Sequence, residues 1–322
     1  MPLAARLSAA ILALALAPCA LAQGDWPNRP VKVIVAFTAG GTSDIMARTI
    51  GQRLSDKLKQ PFVVENRPGA GGNIGTEAAV RATPDGYTLI VNSVGPMTVN
   101  PTLYKKLAYD PLTDLVPIAQ IADVPNVLVV HPSTGVKDMD AFIAYARANP
   151  GKMNYASTGI GTSSHLSGLM LASRAGFEAV HVPYKGAEAL KDLLTGRVQF
   201  MFATIPSVIQ HIRAGNLTAI AVTSVQRSRS MPTVPTVAAS GFPGFEAGSW
   251  FGFFGPRGTP REVVDKLNRA VNEVLAEKNI DARLVEEGAD PAAGTPERFA
   301  EFVRREYEKW RVVVQQSGAT VD

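Results

Sequence analysis

The feature that most constrains the fold is a strand, a glycine-containing loop and a helix that follow one another within residues 31–58. The run 31–37 is apolar except for Lys32, which predicts a short strand buried on both faces of a parallel sheet. After the loop Thr38–Ser43, apolar residues four apart predict one face of a helix: Met46, Ile50, Leu54 and Leu58. A chain that begins in this way is predicted to be an α/β protein.

The loop between this strand and this helix predicts a site for an anion. Gly40 and Gly41 allow the backbone to pass close to another group, and Thr42 or Ser43 is expected to cap the helix. Free N–H groups and the positive end of the helix dipole favour negative charge there. The alternative is a tight turn without a ligand. Asp44, in the first helical turn, is expected to interact with the dipole and not with the anion.

The same arrangement occurs a second time. Residues 153–156 predict a strand, residues 157–164 form a loop rich in Gly, Ser and Thr, and a helix is predicted to run from there to Gly176. Because the device is repeated, a ligand is favoured over a simple turn. The candidate donors are neutral: Gly40 and Gly41 in the first loop, and Ser157, Thr158, Gly161, Thr162 and Ser163 in the second. His165 opens the second helix and is a further candidate contact.

Length and charge indicate a globular protein with more than one domain. The chain has 322 residues, 46% of them hydrophobic and 19% charged. The net charge is +4, and the Lys and Arg residues are scattered. A nucleic-acid-binding protein would instead show a basic patch or stripe, so nucleic acid is not an expected partner.

Residues 1–22 are predicted to be a signal peptide. Arg6 supplies positive charge, Ala9–Ala17 is an apolar stretch too short to span a bilayer, and Ala20–Ala22 is an A-x-A cleavage signal. Export to the periplasm with cleavage after Ala22 follows. Cys19 is the only cysteine, so the mature protein is expected to have no disulfide. Lipidation of Cys19 is disfavoured because a proline precedes it.

The chain is predicted to cross between two domains twice. Strands are expected at 116–122 and 126–131, separated by Asp123–Pro125, and a returning strand is expected at 249–255 after a segment rich in Pro, Ser and Gly. Residues 23–124 with 249–322 would form domain 1, and 125–248 domain 2. Such an arrangement suits a cleft that closes by a hinge motion.

Three local features carry further structural predictions. Ser93–Pro96 is expected to be a loop, and residues 100–115 are expected to be irregular because two prolines interrupt them. Thr259–Glu262 predicts a capping box at the start of a helix, with proline in the first helical position. A final helix is predicted to begin at Pro296.

The sequence lacks the common catalytic signatures. It has no P-loop lysine motif, no H-E-x-x-H, no C-x-x-C and no G-x-S-x-G. Gly159–Ser164 approaches the dinucleotide pattern but ends in serine, and the four histidines lack metal-ligand spacing, so neither a cofactor nor a metal is expected. An exported hydrolase would need Ser163 and His165, which point in different directions at a helix start. Reversible binding of a small anion remains the main prediction.

The chain closely resembles the Bug family, the periplasmic solute-binding proteins of tripartite tricarboxylate transporters. The resemblance covers residues 25–322. No single matching segment would identify the family, but the combination of segments is specific. The matching segments are Trp26–Pro27, Arg29–Pro30, Phe37–Asp44, Asn66–Gly75, Thr83–Tyr87, Asn149–Gly151, Ser157–Ser164, Val182–Gly186 and Pro232–Pro235.

This resemblance implies an α/β, two-domain periplasmic binding protein fold, type II-like, with the ligand cleft between the domains. It implies a monomer that delivers a small carboxylate to a membrane complex of one large and one small subunit. A sensor subunit for a membrane kinase is the alternative. The implied ligand-binding residues are Phe37, Thr38, Ala39, Gly40, Gly41, Ser93, Ser157, Thr158, Gly159, Gly161, Thr162, Ser163, His165 and Thr204.

One departure from the family bears on the ligand. Many relatives have an aspartate two residues after the position of Met201, where this chain has Ala203 followed by Thr204. An ammonium group in a desolvated cleft needs a carboxylate or several carbonyls around it. We therefore expect a mono- or dicarboxylate without an amino group.

Overall fold

The computed structural model describes residues 25–317 and 319–321. The predicted signal peptide and its cleavage site lie outside the described residues. No helix within the described range combines the length and the apolar character needed to cross a bilayer.

The described chain alternates strands and helices along most of its length. The strands are β1 (Val31–Val35), β2 (Phe62–Asn66), β3 (Thr88–Ser93), β4 (Leu115–Val130), β5 (Asn154–Ser157), β6 (Val180–Pro183), β7 (Phe200–Thr204), β8 (Thr218–Val222), β9 (Gly248–Pro256) and β10 (Asp290–Pro291). The helices are α1 (Thr42–Leu58), α2 (Asn73–Val80), α3 (Asn100–Leu103), α4 (Met139–Ala148), α5 (Ser163–Ala175), α6 (Ala189–Leu194), α7 (Ile205–Arg213), α8 (Arg261–Leu275), α9 (Lys278–Glu287) and α10 (Pro296–Ser317).

The strands form two sheet regions that share β4. The strand order is β2-β1-β3-β9-β4-β7-β5-β6, and both β8 and β10 also pair with β4. As far as Pro125, β4 pairs with β9; from Asn126 onwards it pairs with β7 and β8. The first region with its helices is called here the first domain, and the region containing β5 to β8 the second domain.

Helices cover both faces of the first sheet. Val33 of β1 packs with Ile50 of α1 and Leu267 of α8, whereas the adjacent Ile34 packs on the opposite face in a cluster that contains Trp250 and Trp310. All six side chains are at most 2% exposed. The predicted burial of this strand on both faces is confirmed. In the second domain a smaller cluster of β4, β7 and α7 packs around Val127, Ala203 and Ile209.

Four local predictions were wrong. Residues 115–130 form a single strand, since Asp123–Pro125 continue to pair with β9. The predicted loop at Ser93–Pro96 is the start of a helical segment, which is a π-turn over Gly95–Val99 that leads into α3. The irregular stretch that was expected to follow is therefore partly helical. The helix α9 was not predicted at all.

The predicted helix caps were also wrong in detail. The N-cap of α1 is Gly41, in extended conformation, and no side chain caps the helix. The N-cap of α8 is Pro260, because its ψ of 139° keeps it outside the helix. The hydroxyl of Thr259 donates instead to the carbonyl of Pro256 at 2.7 Å. The helices themselves, and the one that begins at Pro296, are present as predicted.

Candidate functional site

A cavity lies between the two domains, where the strand-to-helix loops of both face each other. The space between its walls, counted out into the open solvent, is about 440 Å³. The first domain contributes Phe37, Gly41, Thr42, Ser43, Ser93, Val94, Gly95, Ser249 and Phe251 to its lining. The second domain contributes Thr158, Thr162, Ser163, Gly186, Ala187 and Thr204.

The amino ends of several helices meet at the wall of this cavity. Gly41, Thr162 and Thr204 are the N-cap residues of α1, α5 and α7, and all three line the cavity. The helical segment that starts at Gly95 also begins there. Because the first N–H groups of a helix have no partner within the helix, each start offers donors and a partial positive charge. The cavity is therefore suited to a negatively charged group.

None of the lining residues carries a charged side chain. The polar groups are the hydroxyls of serine and threonine and the backbone at glycine and alanine, while Phe37, Val94 and Phe251 supply apolar surface. Neutral donors orient an anion without a full counter-charge, and the two aromatic rings suit a hydrocarbon body.

Asp44 is buried beneath the first loop and does not line the cavity. It is 4% exposed and accepts hydrogen bonds of 3.0 Å from the backbone N–H of Gly40, from Arg48 and from Asn66. Burial alone would raise its pKa, but the hydrogen bonds from Arg48, Gly40 and Asn66 outweigh it and hold the pKa of Asp44 below its usual range. The N–H of Gly40 is thus used within the loop, and the negative charge of Asp44 is compensated.

Two histidines support the second loop from behind. The rings of His165 and His181 are stacked with centroids 4.1 Å apart. The N–H of Gly161 donates to Nδ1 of His165 at 3.3 Å, and Nε2 of His181 shares a hydrogen bond of 2.6 Å with the hydroxyl of Ser157. Burial lowers the pKa of His165 to about 4, and burial together with the charge of His165 lowers that of His181 to about 3. Both rings are neutral at pH 7, and they hold the loop in place.

The serines of the second loop are not arranged as nucleophiles. The hydroxyl of Ser163 donates to Oδ1 of Asn126 at 3.3 Å, while Nδ1 of His165 is occupied by Gly161. Ser157 does bond to a histidine, but it is fully buried and lies outside the cavity lining. A serine that is activated by a histidine and also open to the cavity is not found in the described part of the chain.

The predicted ligand-binding residues fall into two sets of seven. Phe37, Gly41, Ser93, Thr158, Thr162, Ser163 and Thr204 line the cavity. The residues Thr38, Ala39, Gly40, Ser157, Gly159, Gly161 and His165 lie beside or behind this lining. Contact of either set with a ligand stays a prediction.

The cavity is also lined by residues that were not predicted to bind a ligand. Thr42, Ser43, Val94, Gly95, Gly186, Ala187, Ser249 and Phe251 complete the lining. Thr42 and Ser43 had been interpreted only as caps, although they directly follow Gly41. Ser249 and Phe251 lie on β9 and carried no signal in the sequence, because only the tertiary fold brings this strand beside the two loops. Ala203, in contrast, packs into the core of the second domain.

The two domains touch each other around the cavity. The hydroxyls of Thr42 and Thr204 are 2.7 Å apart, and the N–H of Ala187 donates to the hydroxyl of Thr38 at 2.9 Å. Each pair joins one residue of the first domain to one of the second. The cleft is closed in this conformation.

Comparison with known proteins identifies the family. The profile described as "Tripartite tricarboxylate transporter family receptor" matches residues 46–319. The chain belongs to this receptor family. Among its curated relatives is Protein BugT of Bordetella pertussis, which is 40% identical over 296 residues, or 91% of each chain.

Solved structures of other family members have the same fold. "R. palustris Rpa4515 with adipate" superposes with a TM-score of 0.90 at 38% identity, covering 92% of this chain and 100% of that one. MatC (Rpa3494) from Rhodopseudomonas palustris, with bound malate, gives a TM-score of 0.86 at 35% identity, covering 90% and 100%. The fold of this receptor is therefore the α/β, two-domain periplasmic binding protein fold.

Proposed function

We propose that this receptor captures a small organic carboxylate between its two domains and delivers it to the membrane subunits of a tripartite tricarboxylate transporter. The observation that carries the proposal is the convergence of helix amino ends from both domains on a cavity lined without charged side chains. Of the two similar solved structures, one is with adipate and the other with bound malate, and both ligands are carboxylates.

The ligand that fits this cavity best is a carboxylate without an amino group. The helix starts and hydroxyls donate hydrogen bonds to carboxylate oxygens, but an ammonium group would need a negatively charged hydrogen-bond acceptor. The nearest acid in the first loop, Asp44, is already engaged by Arg48 and Asn66. The side chain at position 203 is directed into the core, so the case against an amino acid rests on the neutral lining and not on Ala203.

The proposal includes the organisation of the mature protein. Its domains are residues 23–124 with 249–322 and residues 125–248; the change of partner along β4 between Pro125 and Asn126 supports the first crossing. We expect a monomer in the periplasm, with residues 1–22 removed after Ala22. The intact mass of the exported protein tests the cleavage, and its sedimentation tests the oligomeric state.

Binding is proposed to be reversible and without catalysis. The hydroxyl of Ser163, which reaches the cavity, donates to an amide oxygen and has no base beside it. The Ser157–His181 pair is closed off behind the loop. A ligand recovered chemically unchanged after prolonged incubation would support this view.

A thermal-shift screen tests the ligand class. Adipate, malate and an aromatic monocarboxylate would be compared with aspartate and glutamate, and each positive result would be followed by calorimetry. We expect at least one plain carboxylate to raise the melting temperature and both amino acids to leave it unchanged. A shift with aspartate or glutamate alone would contradict the proposed class.

A substitution in the first loop tests whether binding occurs in this cavity. Gly41→Val places a side chain in the cavity wall, and the added Cβ meets only ordinary contacts, Thr38 O at 3.5 Å and Ala187 Cβ at 4.0 Å. We expect the fold to persist and ligand binding to be lost. Gly294→Val, whose Cβ would meet only Arg298 outside the cavity, is the matched control. Unchanged affinity in Gly41→Val would place the site elsewhere.

A further inference from the structure

Beside the cavity, the backbone at several glycines lies against the other domain. A Cβ built on Gly71 in the first domain would lie 2.3 Å from the carbonyl oxygen of Ile160 in the second domain. A Cβ on Gly161 in the second domain would lie 2.1 Å from Oδ1 of Asn100 in the first. Real Cβ atoms do not approach other atoms this closely. A side chain at Gly71 would collide with the backbone of the other domain, and one at Gly161 would force Asn100 to move, although the amide of Asn100 is held by hydrogen bonds to Gly71 and Asn73.

A third glycine makes the same kind of contact at the opposite loop. A Cβ on Gly186 in the second domain would lie 2.6 Å from Oγ1 and 3.0 Å from the backbone nitrogen of Thr38 in the first domain. The nearest atom thus belongs to the other domain in all three cases. For Gly71 the next nearest atom is the hydroxyl of Tyr104 in its own domain, at 3.1 Å. The tightest contact at each of these glycines therefore exists only while the domains are together.

We propose that Gly71 and Gly161 determine ligand affinity through closure of the cleft, because they are points at which the glycine backbone of one domain contacts the other domain when the cleft closes. Neither residue lines the cavity. A side chain there leaves each domain able to fold but prevents full closure. Since a ligand held by both domains binds to the closed form, its apparent affinity falls with the population of that form. The affinity part of the inference rests on the proposed function.

Asn100 affects the same equilibrium between the open and the closed cleft, but it disfavours the closed form. Its Nδ2 donates to the carbonyl of Gly71 at 3.2 Å and to Oδ1 of Asn73 at 2.5 Å, which fixes the orientation of the amide. Its Oδ1 is buried against Gly161 and has no hydrogen-bond partner. Burying an acceptor without a donor is unfavourable. In the absence of a ligand, this contact therefore disfavours the closed form.

Disulfide trapping measures closure without any ligand. Thr42 and Thr204 lie on opposite domains with their hydroxyl oxygens 2.7 Å apart. Because a C–S bond is longer than a C–O bond, cysteines at these positions would bring their sulfurs closer together, towards the S–S length of about 2.0 Å. The pair Thr42→Cys and Thr204→Cys is introduced together with Cys19→Ser, so that no other thiol is present. The rate of disulfide formation under a mild oxidant then reports how often the domains close.

In this background, Gly71→Ala and Gly161→Ala are compared with alanine substitutions of glycines elsewhere in the chain that have a similar backbone conformation. Gly71 has a φ of 61° and Gly161 a φ of 82°; their controls are Gly176→Ala, with a φ of 64°, and Gly215→Ala, with a φ of 75°. A Cβ on either control glycine would meet nothing within 4 Å. Left-handed strain is therefore similar in test and control, and only the contact between domains differs.

We expect disulfide formation to be about tenfold or more slower in Gly71→Ala and Gly161→Ala than in their controls. We also expect similar melting temperatures within each pair in the cysteine-free chain. Equal trapping rates in test and control would overturn the inference. A lower melting temperature in the test variants alone would also overturn the inference, because it would show that the glycine is needed for the stability of its own domain.

Calorimetry with adipate on chains that retain Thr42 and Thr204 provides the affinity measurement. We expect the dissociation constant to rise about tenfold or more in Gly71→Ala relative to Gly176→Ala. An unchanged dissociation constant together with slower trapping would overturn the link to affinity. If the unsubstituted chain binds no carboxylate, the proposed function fails, while the trapping experiment still decides whether these glycines control closure.

Discussion

Individual residues in the second loop are held by partners that the sequence did not indicate. His165 was predicted as a candidate ligand contact; its Nδ1 accepts the N–H of Gly161 and its ring stacks on His181. The hydroxyl of Ser157 shares its hydrogen bond with His181. A neutral, stacked pair of this kind keeps the loop in one conformation behind the residues that line the cavity.

The buried histidines predict a loss of stability in mild acid. In the unfolded chain a histidine has a pKa of about 6.5, whereas burial lowers the pKa of His165 to about 4 and that of His181 to about 3. Between these values the unfolded state binds more protons than the folded state. The free energy of unfolding should therefore fall as the pH drops from 6.5 to 4, by on the order of a few kcal/mol. Urea unfolding at pH 7 and pH 4.5 measures the difference.

Substitution separates this effect from general acid denaturation. His181→Gln can keep a hydrogen bond to Ser157 but does not titrate, so it should lose less stability between the two pH values than the unsubstituted chain. His211→Gln, on α7 away from the loop, is the matched control. An equal pH dependence in His181→Gln and His211→Gln would show that the stacked pair does not cause the acid sensitivity.

At the scale of elements, helix starts form the site. Both loops follow a strand of the parallel part of a sheet and lead into a helix of at least 13 residues, α1 and α5. The two helices begin differently. Gly41 precedes α1 without a side-chain cap, whereas Thr162 caps α5 by accepting the N–H of His165 at 3.4 Å and donates to the carbonyl of Gly159 at 2.7 Å.

Thr162 is predicted to stabilise the start of α5 through its hydroxyl. Thr162→Ala removes both hydrogen bonds and should lower the free energy of unfolding by about 1 kcal/mol. Thr162→Ser retains the hydroxyl and should stay within about 0.5 kcal/mol of the unsubstituted chain. Urea unfolding measures both variants. An equal loss in the two would assign the effect to the missing methyl group.

At the scale of the whole molecule, the first crossing between domains lies within one strand. β4 runs without interruption from the first sheet region into the second, and Asn126 follows the change of partner directly. The side chain of Asn126 accepts from Ser163 at the cavity and donates to the carbonyl of Ala247 at 3.4 Å, close to the start of β9. The site is therefore connected by hydrogen bonds to both segments that join the domains.

Ligand binding is predicted to make the molecule more compact. If the cleft closes on a carboxylate, the radius of gyration measured by small-angle scattering should fall at saturation. A ligand at a hundredfold excess over its dissociation constant should also stabilise the folded state by about 2.7 kcal/mol. A clear thermal shift without any change in the radius would indicate binding to a cleft that is already closed. An inactive ligand from the thermal-shift screen is the control.

Local patterns allowed much of the fold to be predicted. The apolar run of β1, the four-residue spacing of α1 and the repeated Gly/Ser/Thr loop all act over a few residues, and their elements are present. Signals that compete locally were misleading, as at Thr259 and at Asp123–Pro125, where strand pairing with β9 overrode the expected break. A local sequence rich in turn-forming residues does not reveal which distant strand will form hydrogen bonds with its backbone.

The sequence by itself determined that two glycine-containing helix starts would be present. Only the tertiary structure decided which groups of those loops face the cavity. Gly40 uses its N–H within its own loop, Nδ1 of His165 accepts the N–H of Gly161, and Ser249 and Phe251 enter from β9. The physical reason is that periodicity specifies an element and its buried face, whereas the lining of a cleft depends on contacts between residues far apart in the chain.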